Sequence, residues 1–331
     1  MSKTSSILIA AGFTISSIVV AAAEPIESLA GTLSASGDYG EVLSAIDAIG
    51  AEATSLTLYW DDLQQDGHYN ADPDWPVIAQ TVYPPKDISI QLTFAVIDTL
   101  SDRRPAALRS LAWDDPLVVE SFASLATDVL TRMPDVDLIS VAIGNEVDGH
   151  LSGAAVDEYT QFFDDAREVI HTIRPDIPVT VKMTWSGLNQ RPDMLALARR
   201  GDALSITWYP MDSAFQFADP DTALQDMTAM AAMADGPWEL SEVGYPSNGC
   251  GSSSPEAQAR FHSGLTMSAA THPNLRFVQR VWSHDISTAE VASYLEYYQT
   301  NADCFGSFLA SLGLRTNNDE PKPAFKALVD R

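Results

Sequence analysis

The chain has 331 residues, and its 45 acidic against 19 basic side chains give a formal net charge of −26. A charge of this sign excludes general electrostatic attraction to nucleic acid or to anionic membrane surfaces. Hydrophobic residues make up 46% of the chain and charged residues 19%, which is typical of a folded protein and not of a disordered acidic tail. The length suits two average domains or one large α/β barrel.

The first 23 residues have the pattern of a secretory signal. Lys3 precedes an apolar run from Ile7 to Val20, and the small residues Ala21–Ala23 follow it. The competing interpretation is a membrane anchor, but a span needs about 20 apolar residues and this run is shorter. We therefore expect a signal peptide at residues 1–23 and a mature chain at residues 24–331. The mature protein would be secreted or periplasmic, with no membrane attachment after the signal is removed.

Short β-branched or apolar runs alternate with amphipathic stretches along the mature chain. Seven runs predict strands, and a weaker one near Ser28–Ser34 precedes them. The seven are Ala53–Tyr59, Ile88–Val96, Leu138–Asn145, Val179–Trp185, Leu204–Tyr209, Trp238–Val243 and Phe277–Trp282. Apolar residues at three- and four-residue spacing predict helices at Glu41–Ile49, Leu117–Met133, Asp157–Ile173, Asp221–Ala234, Ser254–Ala270 and Thr288–Thr300.

Alternation of strands and helices over the whole chain predicts parallel strands with helices outside them. Eight such units fit a single-domain (β/α)8 TIM barrel of the α/β class. An open doubly wound sheet would usually carry a glycine-rich phosphate turn after an early strand, and the sequence has none. No linker or change in composition divides residues 24–331, so we expect one catalytic barrel.

In such a barrel the chemistry lies where the strands end at their carboxyl edges. The sequence places carboxylates, aromatic residues and one amide at these positions. They are Tyr59, Trp60, Asp61, Asp62, Asp98, Asn145, Glu146, Trp185, Tyr209, Glu242, Tyr245 and Trp282. The sequence shows no serine or cysteine nucleophile in a suitable turn, no metal-ligand spacing and no phosphate loop. We therefore expect neither a metal nor a cofactor.

Two carboxylates among flat aromatic rings suit the cleavage of a glycosidic bond. One carboxylic acid protonates the leaving oxygen, and a second carboxylate attacks or stabilises the cationic sugar centre. Glu146 and Glu242 follow the fourth and seventh predicted strands, from which they would converge over the barrel centre. Retaining enzymes hold this pair about 5–5.5 Å apart, and inverting enzymes about 6.5–9.5 Å apart. An inverting hydrolase therefore stays open as an alternative.

Two short motifs carry a resemblance to a known group of enzymes. Gly144-Asn145-Glu146 and Ser241-Glu242-Val243-Gly244-Tyr245-Pro246-Ser247 resemble the two signatures of glycoside hydrolase clan A. Tyr209 and Trp282 match the aromatic residues usual in this clan at the ends of strands six and eight. The order and spacing of these features extend over nearly the whole mature chain.

The resemblance implies a role for each matching residue. Glu146 would be the general acid and then the base, and Glu242 the nucleophile that forms a glycosyl-enzyme intermediate. Asn145 would bond the 2-hydroxyl of the sugar, Tyr209 would orient the nucleophile, and Trp282 would form the floor of the central subsite. Further candidates for substrate binding are Trp185, Tyr245 and Trp60.

Within the clan, the sequence AIGNEV followed later by SEVGYPSN is similar to the β-1,3-glucanases, with Tyr245 in place of the tryptophan usual in their second motif. The segment after Glu146 is also similar to the arabinogalactan endo-β-1,4-galactanases. The expected substrate is a neutral β-linked polysaccharide such as a β-glucan or a galactan, and the expected enzyme is a monomer.

The sequence departs from the clan's pattern at one position. Many members have an arginine near the end of strand two, within reach of the nucleophile, whereas this chain has Thr57 there. Either another donor, for which Lys182 is the candidate, takes the role, or activity is altered. The alternative function is therefore a catalytically impaired barrel that still binds carbohydrate.

The chain has two cysteines, Cys250 and Cys304, so one pairing exists. Export makes a disulfide chemically possible, and we expect this bond rather than two unpaired buried thiols. One further acid, Glu239, lies three residues before Glu242. It is expected on the opposite face of the strand, near the strand's start, in a structural ion pair.

Overall fold

Eight strand positions form the centre of the computed structural model, which describes residues 24–65, 68–69 and 72–331. The predicted signal peptide, residues 1–23, lies outside the described residues. The strands are β1 (Ile26–Leu29), β2 (Ala53–Tyr59), β3 (Ser89–Asp98), β4 (Leu138–Asn145), β5 (two segments, Val179–Thr180 and Lys182–Thr184), β6 (Leu204–Trp208), β7 (Trp238–Val243) and β8 (Leu275–Arg280).

All neighbouring strands in this sheet pair in parallel. The pairing runs from the first segment of β5 through β4, β3, β2, β1, β8, β7 and β6 to the second segment of β5. The sheet thus returns to its own starting position, and the predicted (β/α)8 barrel is confirmed. The weakest predicted strand is present as β1, although it is shorter and begins earlier than expected.

Helices surround the barrel. They are α1 (Tyr39–Ala48), α2 (Trp60–Leu63), α3 (Trp75–Val82), α4 (Pro116–Thr131), α5 (Ala154–Ile173), α6 (Trp185–Gln190), α7 (Pro192–Ala198), α8 (Pro220–Ala223), α9 (Asp226–Ala234), α10 (Pro255–Ala269), α11 (Thr288–Tyr297), α12 (Asp303–Leu309) and α13 (Pro323–Val329). The single helix expected at Asp221–Ala234 is divided into α8 and α9. No helix among the described residues is long and apolar enough to cross a membrane.

Several short strands and turns lie in the connections between the main strands and helices. Ser101–Asp102 folds back antiparallel on the end of β3. Gln64–Gln65 pairs with His68–Tyr69, and Gln216–Phe217 pairs with Cys250–Gly251. Two 3-10 turns, Pro84–Lys86 and Val147–Gly149, complete the regular structure.

Local sequence explains where the helices after β7 and β8 begin. The Ser254 side chain accepts a hydrogen bond from the backbone of α10, whose first residue is Pro255. Ser287 and Glu290 form a reciprocal capping box at the start of α11. Because α11 lies in the connection after β8, this cap fixes a helix beside the mouth of the barrel.

The barrel interior is polar at several positions, and a bulge in β7 is one reason. Along β6, Ile206 pairs with Leu240 but the next residue pairs with Glu242, so Ser241 is extra. Residues three apart in a regular strand point to opposite faces. The extra residue turns Glu239 and Glu242 to the same side, towards the interior.

The expectation that Glu239 lies on the opposite face is therefore wrong. Its oxygens accept hydrogen bonds from Ser140 of β4 at 3.0 Å and from Thr180 of β5 at 3.2 Å. Neither strand is a neighbour of β7, so these bonds cross the inside of the barrel. Glu239 is 3% exposed.

Candidate active site

A cleft with a volume of about 1820 Å³ opens at the carboxyl ends of the strands. Both Glu146 and Glu242 line it, as do Asn145, Tyr209 and Trp282. The structure therefore brings together the five residues to which the clan resemblance assigns a role.

Glu146 follows β4 in a left-handed conformation, with φ 46° and ψ 48°. Gly144, two residues earlier, has φ 86°, and a Cβ there would lie 2.4 Å from Val147 Cγ1 and 2.5 Å from the Tyr159 hydroxyl. Glycine is thus required for the chain to turn at the end of β4. This turn places Glu146 over the barrel mouth and explains the first part of the Gly144-Asn145-Glu146 motif.

The Glu146 carboxyl group accepts hydrogen bonds from two neutral hydroxyl groups. Thr207 Oγ1 donates to Oε1 at 2.6 Å, and Thr99 Oγ1 donates to Oε2 at 2.9 Å. Burial, and then the charge of Glu242, raise the pKa of Glu146 to about 8, although the two hydroxyls act in the opposite direction. Glu146 can therefore hold a proton near neutral pH, as a general acid must.

Glu242 has different surroundings. The Tyr209 hydroxyl donates to Oε2 at 3.0 Å, and Lys182 Nζ lies 3.7 Å from Oε1. Burial raises the pKa of Tyr209 well above its ordinary value, so this phenol stays a donor. A phenol and an ammonium group both favour the ionised carboxylate, which is the form that a nucleophile needs.

Asn145 is held by its neighbour at the end of β3. Its Nδ2 donates to Asp98 Oδ1 at 3.0 Å. The Oδ1 atom of Asn145 is buried and has no hydrogen-bond partner among the described residues. A buried polar atom of this kind is costly, and a hydroxyl from a bound ligand would satisfy it.

Trp282 contributes one aromatic wall of the cleft. Its ring stacks on that of Tyr294 in α11, with centroids 6.1 Å apart and planes at 27°. Trp185 also lines the cleft, in the part formed by the connections after β5 and β6, and its side chain bonds Asp226. Both tryptophans are thus placed where a sugar ring can reach them.

Sequence reasoning missed the tyrosines of the connection after β8. Tyr294, Tyr297 and Tyr298 all line the cleft. The Tyr297 hydroxyl donates to the backbone oxygen of Asp98, and the Tyr298 hydroxyl lies 3.5 Å from Thr99 Oγ1. The helical pattern predicted α11, but nothing in that pattern indicates that the helix end reaches the tip of the β3 hairpin.

Trp60 and Tyr245 lie outside the cleft, contrary to the sequence prediction. Trp60 is 1% exposed and packs edge-on against Phe122 in the layer between strands and helices. Tyr245 is 0% exposed, stacks on Phe261 and donates its hydroxyl to the Ala218 backbone oxygen at 2.7 Å. Both rings face the surrounding helices because the chain turns outward after the strand ends, so they support the fold and cannot contact a ligand in this structure.

Thr57 of β2, which stands where the resemblance to the clan implies an arginine, lines the cleft. Arg103 also lines the cleft, but its ion pairs are with Asp61 and Asp62 and not with Glu242. Its guanidinium lies over the Tyr59 ring, 4.5 Å from the centroid, and its Nε is 2.9 Å from Asp61 Oδ1. The cation that approaches the carboxylate of Glu242 is instead Lys182.

The predicted disulfide is confirmed. Cys250 and Cys304 are bonded, with their Cα atoms 5.3 Å apart. Cys250 lies beyond β7, and Cys304 lies in α12, so the bond ties together two connections at the rim of the cleft.

Among the described residues, one group brings possible metal ligands within 4.8 Å of one another: Glu41, His284 and Asp319. It lies outside the cleft. His284 Nε2 and Arg315 Nε already contact the same oxygen of Asp319, at 2.9 and 2.5 Å. These contacts account for the cluster as an ion-paired network.

No family model matches the chain, and no curated protein matches it in sequence. Solved structures do share its fold. A GH5_18 protein from Streptomyces cattleya, in complex with Manβ1-4GlcNAc, has a TM-score of 0.70 at 16% identity, over 92% of this chain and 79% of that one.

Two further structures extend this likeness. A GH5_18 protein from Bifidobacterium longum subsp. longum, also in complex with Manβ1-4GlcNAc, gives a TM-score of 0.73 at 15% identity, over 92% of this chain and 77% of that one. The exo-β-1,4-mannosidase Op5Man5 from Opitutaceae bacterium strain TAV5 gives 0.67 at 15% identity, and this chain covers 58% of it. The chain therefore has the TIM-barrel fold of solved glycosidases.

Proposed function

We propose that the protein is a retaining glycoside hydrolase of clan A type, which cleaves β-linked bonds in a neutral glycan. One observation carries this proposal. Two carboxylates from separate parts of the barrel, Glu146 and Glu242, share one cleft in which burial and the charge of Glu242 raise the pKa of Glu146, while an ammonium group lies 3.7 Å from Glu242. That division between a neutral acid and an ionised carboxylate is what a double displacement needs.

The chemistry proceeds in two steps. Glu146 gives its proton to the glycosidic oxygen while a Glu242 oxygen attacks the anomeric carbon, so the leaving group departs as an alcohol. A covalent glycosyl-enzyme intermediate remains. Glu146, now ionised, takes a proton from water, whose oxygen attacks the same carbon and releases Glu242. The orphaned Oδ1 of Asn145 accepts a sugar hydroxyl during both steps.

The substrate class follows from charge and from the motifs. A net charge of −26 disfavours an acidic glycan, so a neutral polysaccharide is the better substrate. The motif around Glu242 favours a β-glucan, and the one around Glu146 a galactan. Two solved proteins of the same fold hold Manβ1-4GlcNAc, which adds β-mannosides to the candidates.

The test is a panel of β-1,3-, β-1,4- and β-1,6-linked glucans, galactans and mannans, with matching aryl β-glycosides. Reducing ends report turnover, product sizes separate endo from exo action, and proton NMR of the first anomer formed reports stereochemistry. We expect a β-anomer as first product. An α-anomer would show an inverting enzyme instead, and binding without any product would favour the second candidate function.

That second candidate is a carbohydrate-binding barrel that has lost turnover. The observation that favours it is Thr57, which stands where clan members carry an arginine. A barrel of this kind would retain affinity for a glycan in titration calorimetry and release no reducing ends from it.

We also propose that the mature enzyme is exported as a monomer. The sequence pattern of residues 1–23 supports export, as does the Cys250–Cys304 disulfide. N-terminal sequencing of the protein recovered from outside the cytoplasm should begin at Glu24. Recovery of an uncleaved chain from the membrane fraction would contradict this proposal.

A further inference from the structure

Lys182 occupies an unusual position for a lysine. It lies in the second segment of β5, is 1% exposed, and lines the cleft at the barrel interior. Its ammonium group is 3.7 Å from Glu242 Oε1. No other lysine or arginine among the described residues lies within 4.0 Å of that carboxylate. Burial of an ammonium group is costly, so an opposite charge must compensate for it.

A second acid, Glu239, also interacts with the charge of Lys182. Glu239 is buried below Glu242 on the same strand, because the bulge at Ser241 turns both acids inward. It interacts electrostatically with Lys182 and is fixed by hydroxyl donors from β4 and β5. Lys182 therefore interacts with two acids of β7, directly with the candidate nucleophile and through its charge with Glu239.

We propose that Lys182 is a positioning residue that takes over, from strand five, the role of the missing strand-two arginine by holding Glu242 ionised and in place. The inference rests on the proposed function, since it assigns Lys182 to the nucleophile of that reaction. The competing view is that Lys182 only fills the barrel interior, with Glu239 as its partner.

Several other titratable groups face Glu242, and their effects on its carboxylate add to that of Lys182. Tyr209 donates a hydrogen bond to it, while the remaining groups act through their charge or their potential charge. The titratable groups that face Glu242 are Tyr59, Glu146, Lys182, Tyr209 and Tyr294. Lys182 is the one cation in this set, so its removal leaves the carboxylate with no cation within 4.0 Å among the residues that the structure describes.

The first experiment compares Lys182→Met and Lys182→Arg with the wild type on its best substrate. A positive charge within about 4–6 Å lowers the pKa of a carboxyl group by about one to three units. We therefore expect the acid limb of kcat/KM in Lys182→Met to move up by at least about one pH unit. At pH values below that limb, kcat/KM of Lys182→Met should be at least about tenfold lower than that of the wild type, and the difference should shrink as the pH rises. Lys182→Arg should restore most of the rate.

Lys322→Met is the matched control. Lys322 is also a buried lysine, 8% exposed, with Nζ 2.6 Å from Asp285 Oδ1, and it lies outside the cleft. Its loss should lower the unfolding temperature without moving the pH profile. If Lys182→Met lost activity equally at every pH, or if Lys182→Arg were as slow as Lys182→Met, Lys182 would be structural and the inference wrong.

A second measurement separates this inference from the proposed function. Carbon-13 NMR of glutamate labelled at the side-chain carboxyl, with Glu242→Gln for assignment, follows the ionisation of Glu242 without any substrate. The midpoint should be higher in Lys182→Met than in the wild type by about one pH unit or more, and close to wild type in Lys182→Arg. An unchanged midpoint in Lys182→Met overturns the inference whatever the protein hydrolyses. A raised midpoint supports it even if the whole glycan panel is left intact.

Discussion

Two glutamates of the cleft, Glu146 and Glu242, carry the same carboxyl group but have different hydrogen-bond partners and different charged neighbours. Glu146 accepts bonds from the neutral hydroxyls of Thr99 and Thr207, at a turn just beyond its strand. Glu242 accepts a bond from a phenol and lies 3.7 Å from a buried ammonium group, within its strand. Burial and the charge of Glu242 raise the pKa of Glu146 although both hydroxyls act in the opposite direction, whereas Glu242 has a cation beside it. The difference teaches that the proposed roles of the two glutamates depend on burial and on nearby charge, and not on the number of hydrogen bonds that each accepts.

The largest effect is expected from removing the charge of the candidate nucleophile. Glu242→Gln keeps the shape of the side chain but cannot form the glycosyl-enzyme bond, so kcat should fall on the order of 10⁵-fold. Glycan binding, measured by titration calorimetry, should stay within a few-fold of wild type. Turnover near the wild-type rate would show that the nucleophile lies elsewhere.

Glu146→Gln should separate substrates by their leaving groups. A poor leaving group needs the proton of Glu146, so its kcat should fall about 10²- to 10⁴-fold, whereas a nitrophenolate needs little protonation and should lose less. Added azide attacks the intermediate without a base and should partly restore turnover of the activated substrate. Equal losses on both substrates would contradict the assignment of Glu146 as the acid.

Two tyrosines that the sequence analysis placed in the same site give the next comparison. Tyr209→Phe removes a hydrogen bond to the Glu242 carboxylate, and a bond to a charged group contributes about 1.5–3 kcal/mol, so kcat should fall roughly 10- to 100-fold. Tyr245→Phe makes the same chemical change at a buried ring outside the cleft. It should lower the unfolding temperature and leave kcat unchanged, and equal kinetic losses would contradict the placement of these two rings.

The same tyrosines show how far the sequence reaches. Strand periodicity and the position of strand ends predicted the barrel, the two glutamates and Asn145, because a parallel barrel brings carboxyl ends of strands together. This rule gives the end of a strand but not the direction of the side chain beyond it. Trp60 comes directly after β2 and Tyr245 two residues after β7, and both side chains are buried outside the cleft.

Other features of the site could not be predicted from the hydrophobic periodicity of the sequence. The inward position of Glu239 depends on one extra residue in β7, and a bulge leaves no mark in an apolar alternation. Tyr294, Tyr297 and Tyr298 reach the cleft from the long connection after β8, and periodicity does not predict the path of a connection. The cysteine count predicted the Cys250–Cys304 bond, but not what it holds in place.

The smallest expected effect concerns the hydroxyl that donates to Glu146. Thr207→Val removes a bond that stabilises the charged carboxylate, so the pKa of Glu146 should rise further above about 8. The proposed role of Glu146 as the acid requires its protonated form, so the basic limb of kcat/KM should lie near pH 8 in the wild type and move to higher pH in the variant. Thr54→Val, an equally buried threonine whose hydroxyl bonds the Leu29 backbone oxygen, is the control and should leave the limb in place. A limb that moved to lower pH in Thr207→Val would mean that the hydroxyl stabilises the protonated acid, and that Glu146 owes its proton to Thr207 rather than to burial and to Glu242.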